Sequence, residues 1–136
     1  MRACTTLNQA LLALRAQGVI GVAFNATVMG VEHYASAATL LRTLAELDML
    51  LSLQVEHDQL VALRPLLERS GVRVMIDHGG RPAPGRGVEQ PGFQALLGLA
   101  RSGRVAVKLS GYQKFSALPP PYEDTRRFLD ALLEAF

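Results

Sequence analysis

Four short apolar segments recur along the chain, and each is followed by glycine, polar or charged residues. They are VIGVAFNAT (19–27), MLLSLQVE (49–56), VRVMIDH (72–78) and VAVKLSG (105–111). Val and Ile dominate the first, third and fourth segments, which is typical of strands covered on both faces, whereas the second is rich in Leu. The pattern predicts four β-strands.

Apolar residues at helical spacing lie before, between and after these strands. The sets that would share one helix face are Leu7, Leu11 and Leu14; Leu40, Leu44 and Leu47; Leu60, Leu63 and Leu67; Phe93, Leu96, Leu97 and Ala100; and Phe128, Leu132 and Leu133. Pro65 lies inside the third set, so it should kink or shorten that helix. The predicted element order is α-β-α-β-α-β-α-β-α.

The strand spacing indicates how these elements assemble. Strands that begin at residues 19, 49, 72 and 105 leave room for one crossover helix each, which favours βα units and a parallel sheet. Four such units are half of a closed (β/α)8 barrel. The predicted fold class is therefore α/β, an incomplete TIM barrel of about four parallel βα units, in one domain over residues 1–136.

Composition narrows the class of protein. Hydrophobic residues make up 49% of the 136 residues and charged residues 19%, with a mean hydropathy of +0.19, as in a globular domain. Fourteen Lys and Arg are scattered among twelve Asp and Glu without a basic block, so no nucleic-acid partner is expected. No apolar stretch approaches the roughly 18 residues of a membrane span, and no signal peptide is visible. Cys4, the only cysteine, cannot form an internal disulfide. These features predict a cytoplasmic protein with no membrane partner.

Polar residues collect where each predicted strand ends. They are Asn25 and Thr27; Gln54, Glu56 and His57; Asp77, His78 and Arg81; and Lys108 and Ser110. Because parallel α/β folds build their sites at the carboxyl ends of their strands, these side chains predict part of an active-site rim.

The segment VMIDHGGRP (74–82) holds the main candidates. His78 has the strand parity of Val74 and Ile76, so Asp77 should point to the other face and not form a dyad with it. His78 could act as an acid or base, an electrophile or a metal ligand, or could simply be a hydrogen-bonded residue that ends a strand. Two glycines allow the backbone to turn and bring Arg81 over the strand ends, where it could hold a carboxylate or pair with Asp77.

Several other residues near the strand ends remain open to two interpretations. Lys108 interrupts a strand, so it needs a partner such as Glu56 or a substrate anion. Glu56 and His57 could contribute to a metal site or could merely lead into the next helix. The loop after the fourth strand carries three further candidates for ligand contact, or for simple packing: Tyr112, Lys114 and Tyr122. Asp124 precedes an apolar periodic segment and is expected to cap its helix.

Taken in order, the segments GVAFN, LQVE, VMIDHGGRP, GRVAVKLSG and PPPYED resemble the amidohydrolase superfamily, in particular its 2-pyrone-4,6-dicarboxylate lactonase branch of predicted metal-dependent hydrolases. The resemblance runs over about residues 7–133, and IDHxGRP followed by VKLSG is its most specific part. It implies a (β/α)8 barrel, of which this chain resembles strands three to six.

The resemblance also implies roles for single residues. His78 would be the active-site histidine that ends strand five, and would be a candidate ligand of a divalent metal such as Zn²⁺ or Mn²⁺. Arg81 would contact a substrate carboxylate, and Lys114 lies at or near another basic substrate contact. Ala23 stands where relatives often carry arginine, in GVRFN. The implied reaction opens a lactone by attack of water, and the implied partner is a small-molecule lactone or carboxylate.

In this family an H-x-H pair comes from strand one and a general-base aspartate from strand eight. The chain contains neither region, so it is expected to be a fragment that is inactive or nearly so by itself. One alternative is a non-enzymatic half-barrel that forms a homo-oligomer through its exposed sheet edges. Another keeps the superfamily but changes the reaction to that of a decarboxylase or a sugar-lactone hydrolase.

Overall fold

A computed structural model describes residues 6–136, and Cys4 lies outside them. Its four strands, β1 (Gly21–Asn25), β2 (Leu50–Gln54), β3 (Arg73–Ile76) and β4 (Val105–Val107), fall inside the four apolar segments. They form one sheet in the order β1-β2-β3-β4, and every neighbouring pair is parallel. The predicted α/β class with four parallel βα units is confirmed.

The helices are α1 (Leu7–Ala16), α2 (Ala26–Met29), α3 (Ala38–Glu46), α4 (Gln59–Ser70), α5 (Pro91–Leu99) and α6 (Arg126–Ala135). Five of them match the predicted helical segments. The sequence pattern did not predict α2, a single turn directly after β1. Short 3-10 turns fill most of the remaining connections.

The core lies between the helices and one face of the sheet. Strand residues of one parity, such as Leu51, Leu53, Val74 and Ile76, are almost fully buried against helix residues. Phe93 of α5 belongs to the same cluster and stacks edge-on against a ring of α6, with centroids 5.1 Å apart. This packing fixes the register of the strands and therefore the height at which each strand ends.

Pro65 was expected to kink or shorten its helix, and it does not shorten it. Helix α4 continues through Pro65 and is twelve residues long in all. Proline removes the hydrogen bond to the carbonyl of Val61, but Val61 is 46% exposed, so water can reach that turn. Leu60 and Leu63 are buried on the opposite side and hold the helix in place.

Some helices bury fewer of their predicted apolar residues than expected. In α1 only Leu11 is buried, while Leu7 and Leu14 are about 40% exposed, and in α6 Leu133 is 67% exposed. Asp124 does not cap α6, because the first turn begins from Thr125 and has no side-chain cap. The Asp124 carboxylate instead accepts hydrogen bonds from the hydroxyl of Ser116 and, at 2.7 Å, the amide of Ala117.

The second face of the sheet, here called the inner face, is only partly covered. Ala23, Ser52, Met75 and Lys108 line a groove of about 350 Å³ on this face. Within residues 6–136, β1 and β4 each have a strand neighbour on one side only. No helix in the same range is long and apolar enough to cross a membrane.

Candidate functional site

The chain turns sharply at the carboxyl end of β3. His78, Gly79, Gly80 and Arg81 have φ angles of 55°, 61°, 75° and 44°, so four consecutive residues lie at positive φ. Two of the four are not glycine, and such backbone is costly unless its surroundings impose it. Because of this turn, His78 does not continue the alternation of side chains along β3. The turn also brings Arg81 back beside the segment that follows β2, where the amide of His57 donates to the carbonyl of Arg81 at 3.0 Å.

His78 rests against the segment that follows β4. Its Nδ1 lies 3.1 Å from Oγ of Ser110, within hydrogen-bond distance. A Cβ atom placed on Gly111 would lie 2.3 Å from the same nitrogen, so only glycine leaves room for the imidazole. The backbone closes the arrangement, because the amide of Gly79 donates to the carbonyl of Lys108 at 2.9 Å.

Three cationic side chains lie close enough to the imidazole of His78 to affect its pKa. Partial burial lowers the pKa of His78 below its ordinary value, and nearby Lys114 lowers it further. Arg81 and Lys108 act in the same direction, while the carboxylate of Asp77 opposes them. His78 is therefore neutral near pH 7, at a place where several cationic side chains meet.

Asp77 and Lys108 form an ion pair on the inner face. The charged atoms lie 2.7 Å apart, the Asp77 side chain is 9% exposed and the Lys108 side chain 50%. The contact is not aligned as a hydrogen bond, and Oδ1 of Asp77 has no other partner among residues 6–136. The sequence had suggested Glu56 or a substrate anion as the partner of Lys108, and the suggestion of Glu56 is wrong. Asp77 is the partner because it lies on the inner face, opposite the helix-packed face of Val74 and Ile76.

Arg81 pairs with Glu56 at 3.1 Å, and not with Asp77. Both side chains are partly covered, at 21% and 31% exposure. The Nε atom of Arg81 is buried and has no hydrogen-bond partner among the described residues. A buried donor of this kind is costly and favours an acceptor that the present contacts do not supply.

The loop that follows Arg81 is held by Gln90. Its side chain is almost fully buried, accepts from the amide of Ala83 at 2.9 Å, and donates to the carbonyls of Ala83 and Gly87. Arg86 of the same loop pairs with Asp58 at 2.8 Å. These contacts connect the loop to the turn that follows β2, so they support the position of Arg81.

Of the three loop candidates, Lys114 lies close enough to His78 for its charge to lower the pKa of the imidazole. Tyr112 donates its hydroxyl to the carbonyl of Leu109 at 2.8 Å and closes the local turn. The structure gives no side-chain contact of Tyr122 with His78 or Arg81. The roles of His78, Arg81 and Lys114 as site residues remain predictions.

The sequence-based interpretation gave no individual role to Ser110, Gly111 or Gln90. Ser110 was noted only as one of several polar residues at strand ends, and no periodicity reveals which imidazole it faces. The glycine after Ser110 was a usable signal, because a glycine directly beyond a strand often permits close approach.

A metal centre is not formed by these residues alone. The amidohydrolase family is generally metal-dependent. Within residues 6–136, no group of three or more His, Cys, Asp or Glu is placed to hold a metal ion. Two acids at the strand ends are already paired, Asp77 with Lys108 and Glu56 with Arg81.

Comparison with known proteins identifies the class to which this barrel-like sheet belongs. A family model described as amidohydrolase matches residues 5–136. The chain therefore belongs to the amidohydrolase family, as the motifs had indicated.

Among curated relatives, two 4-sulfomuconolactone hydrolases are similar to this chain. The protein from Hydrogenophaga intermedia is 35% identical over 79 residues, which are 58% of this chain and 26% of the relative. The protein from Rhizobium radiobacter is 35% identical over 89 residues, or 65% of this chain and 30% of the relative.

Two solved structures share the fold over nearly the whole chain. One, from Acinetobacter baumannii with citric acid bound, is described as a probable 2-pyrone-4,6-dicarboxylic acid hydrolase; it has a TM-score of 0.80 and 29% identity. The other, from Pseudomonas putida and assigned to the same class, has a TM-score of 0.76 and 32% identity. They match 96% and 94% of this chain, which spans 49% and 48% of theirs.

The chain thus spans less than a third of the curated relatives and about half of each solved structure. By their names, these relatives act on lactones or related acids that carry carboxylate or sulfonate groups.

Proposed function

We propose that this chain forms the part of a lactone-hydrolase active site that binds an anionic, lactone-bearing substrate. Arg81 holds a carboxylate of the substrate, Lys114 provides a second positive charge, and His78 contacts the lactone carbonyl. A sulfonate could occupy the same place as the carboxylate. A 2-pyrone-4,6-dicarboxylate-like molecule is the preferred substrate class.

The observation that carries this proposal is the meeting of one neutral imidazole with cationic side chains at the carboxyl ends of β3 and β4. Lys114, Arg81 and Lys108 all act on the pKa of His78. The buried Nε of Arg81 has no partner in the described part of the chain. Nη2 of Arg81 pairs with Glu56, and the remaining donors of the guanidinium are suited to a substrate carboxylate through charge-assisted hydrogen bonds.

The chemistry follows from this arrangement. Water adds its oxygen to the acyl carbon of the lactone, the bond from that carbon to the ring oxygen breaks, and the ring oxygen takes up a proton. Negative charge develops on the carbonyl oxygen during the addition, so a donor held at that atom lowers the barrier. His78 can supply this donor, while Arg81 and Lys114 orient the substrate through its anionic groups.

Residues 6–136 offer no clear base to activate the water. Asp77 is engaged by Lys108 and Glu56 by Arg81, and neither acid contacts His78 through a hydrogen bond. A Zn²⁺ or Mn²⁺ ion at His78 would need ligands beyond those that this region brings together. We therefore expect the pure chain to bind the substrate but to open lactones no faster than the background reaction.

Calorimetric titration of the chain with 2-pyrone-4,6-dicarboxylate tests the proposal. Arg81→Ala should weaken binding by about 10-fold to 100-fold, the range of one to two lost charge-assisted hydrogen bonds. Arg73→Ala is the matched control, because Arg73 lies at the amino end of the same strand and pairs with exposed Asp48. Equal loss in both variants, or no binding by the unmodified chain, would reject the proposal.

A second candidate function, self-association, is favoured by the open inner face. Ala23 and Ala106 are exposed there, and β1 and β4 have free edges within the described range. Two copies could complete eight strands. Light scattering that shows a dimer at micromolar concentration would support this function, and a monomer over the same range would reject it.

A further inference from the structure

We infer that Ser110 is a positioning residue that fixes the tautomer of His78: its hydroxyl donates to Nδ1, so that the ring carries its proton on Nε2. This inference rests on the proposed function, since it specifies what His78 presents to a lactone carbonyl. It concerns a residue to which neither the motifs nor the relatives' names assign a role.

The geometry gives Ser110 direct contact with the ring. Oγ of Ser110 lies 3.1 Å from Nδ1 of His78, and no other ring contact of this kind is found among residues 6–136. The neighbouring Gly111 lets the backbone after β4 approach the imidazole, because a Cβ there would lie 2.3 Å from Nδ1. Ser110 and Gly111 together therefore accommodate the Nδ1 edge of the imidazole.

Backbone hydrogen bonds also connect the segment around His78 to the segment that leads to Ser110. The amide of Gly79 donates to the carbonyl of Lys108 at 2.9 Å, and the amide of Lys108 donates to the carbonyl of Ile76 at 2.9 Å. The residues before and after His78 are thereby joined to the strand that leads to Ser110. Backbone hydrogen bonds therefore hold the segments of His78 and Ser110 next to each other, in addition to the contact between the two side chains.

The direction of the hydrogen bond follows from the hydroxyl's own partners. A serine hydroxyl has one proton to donate, and among the described residues no carbonyl or carboxylate accepts it. Donation to Nδ1 satisfies that proton and the ring lone pair together. The remaining nitrogen, Nε2, then carries the hydrogen, because the partner of one ring nitrogen sets the state of the other.

This assignment selects one of the roles left open for His78. With hydrogen on Nε2, the neutral ring can donate to the lactone carbonyl and to the oxyanion that forms from it. It cannot at the same time accept a proton from water through Nε2. Ser110 thus acts on the reaction through His78, which is the residue that would touch the substrate.

The tautomer can be read directly from ¹⁵N chemical shifts of histidine-labelled protein near pH 7.5, without substrate. Wild type should show Nδ1 as the acceptor nitrogen and Nε2 as the protonated one. Ser110→Ala should shift the ratio of tautomers by about fivefold, the value of one net hydrogen bond. Ser110→Thr keeps a hydroxyl and should restore the wild-type ratio, whereas Ser102→Ala, at the other end of β4, should leave it unchanged.

Two results would overturn the inference: a wild-type ring protonated on Nδ1, or an unchanged ratio in Ser110→Ala with His33 and His57 signals intact. Gly111→Ala gives an independent check, since the added methyl group must displace the ring and alter the His78 signals. Failure of dicarboxylate binding would reject the proposed function but not the tautomer, and a wrong tautomer would leave the binding result standing. The two ideas can therefore fail separately.

Discussion

The two ends of β3 each carry an arginine paired with an acid, but the pairs differ in their surroundings. At the amino end, Arg73 meets Asp48 at 2.9 Å, with side chains 56% and 74% exposed. At the carboxyl end, Arg81 meets Glu56 at 3.1 Å, with exposures of 21% and 31%. Only the second arginine retains a buried donor without a partner.

This difference shows that charge alone does not identify the candidate site. A solvent-exposed ion pair contributes little to stability, and water already satisfies its remaining hydrogen-bonding groups. A partly desolvated arginine with a free Nε, beside a neutral imidazole and a strained turn, does leave such capacity.

Gln90→Ala should destabilise the protein by about 3 kcal/mol, because three hydrogen bonds of about 1 kcal/mol each are lost from a buried side chain. Gln94→Ala is the control, since exposed Gln94 makes one side-chain hydrogen bond, to Val88. Urea unfolding of both variants measures the difference. Equal losses would mean that the loop after Arg81 is not held by Gln90.

Asp77→Asn should cost about 1–2 kcal/mol of unfolding free energy, because it removes the counter-charge of Lys108 from a nearly buried position. Asp48→Asn should cost less than about 1 kcal/mol, as expected for an exposed pair. Thermal unfolding of the two variants makes the comparison. A larger loss at Asp48 would contradict the contrast between the strand ends.

Ala23→Arg should tighten the binding of 2-pyrone-4,6-dicarboxylate by about tenfold, since one added charge-assisted hydrogen bond is worth about 1.5 kcal/mol. Ala23 lines the inner-face groove together with Lys108. Leu12→Arg introduces the same charge on the exposed side of α1, outside this groove, and should change affinity by less than about twofold. Calorimetry distinguishes local contact from a general charge effect.

His78→Asn should make stability less dependent on pH. The pKa of folded His78 lies below the ordinary value of 6.5, so the unfolded chain binds a proton first as pH falls. Stability is therefore retained above about pH 6.5 and decreases below it, until the folded pKa is also passed. Urea unfolding from pH 5 to 7.5 should show this decrease in wild type and in His33→Asn, but not in His78→Asn.

The sequence predicted the sheet well because the signals there are local. Short apolar segments that end in glycine, polar or charged residues identify β3 and its neighbours, and leucines at helical spacing identify α4 even across Pro65. The polar ends of the strands followed from the general position of sites in parallel sheets. The motifs IDHxGRP and VKLSG then led to the correct family.

The partners of the charged residues could not be predicted in the same way. Lys108 pairs with Asp77 and Arg81 with Glu56, whereas Glu56 had been one suggested partner for Lys108 and Asp77 one for Arg81. The choice depends on which strand face the helices cover. The positive φ angles at His78 and Arg81 likewise arise from contacts between β2, β3 and β4. Such long-range geometry leaves no periodic trace in the sequence.

The most direct test of the central claim is to map amide shifts of ¹⁵N-labelled protein during titration with 2-pyrone-4,6-dicarboxylate. The account predicts the largest changes at Gly79, Gly80, Gly111 and Lys114, at the carboxyl ends of β3 and β4. Amides near Arg73 and Gly103, at the amino ends, should remain unchanged. Changes concentrated at the amino ends, or none with millimolar ligand, would contradict the account.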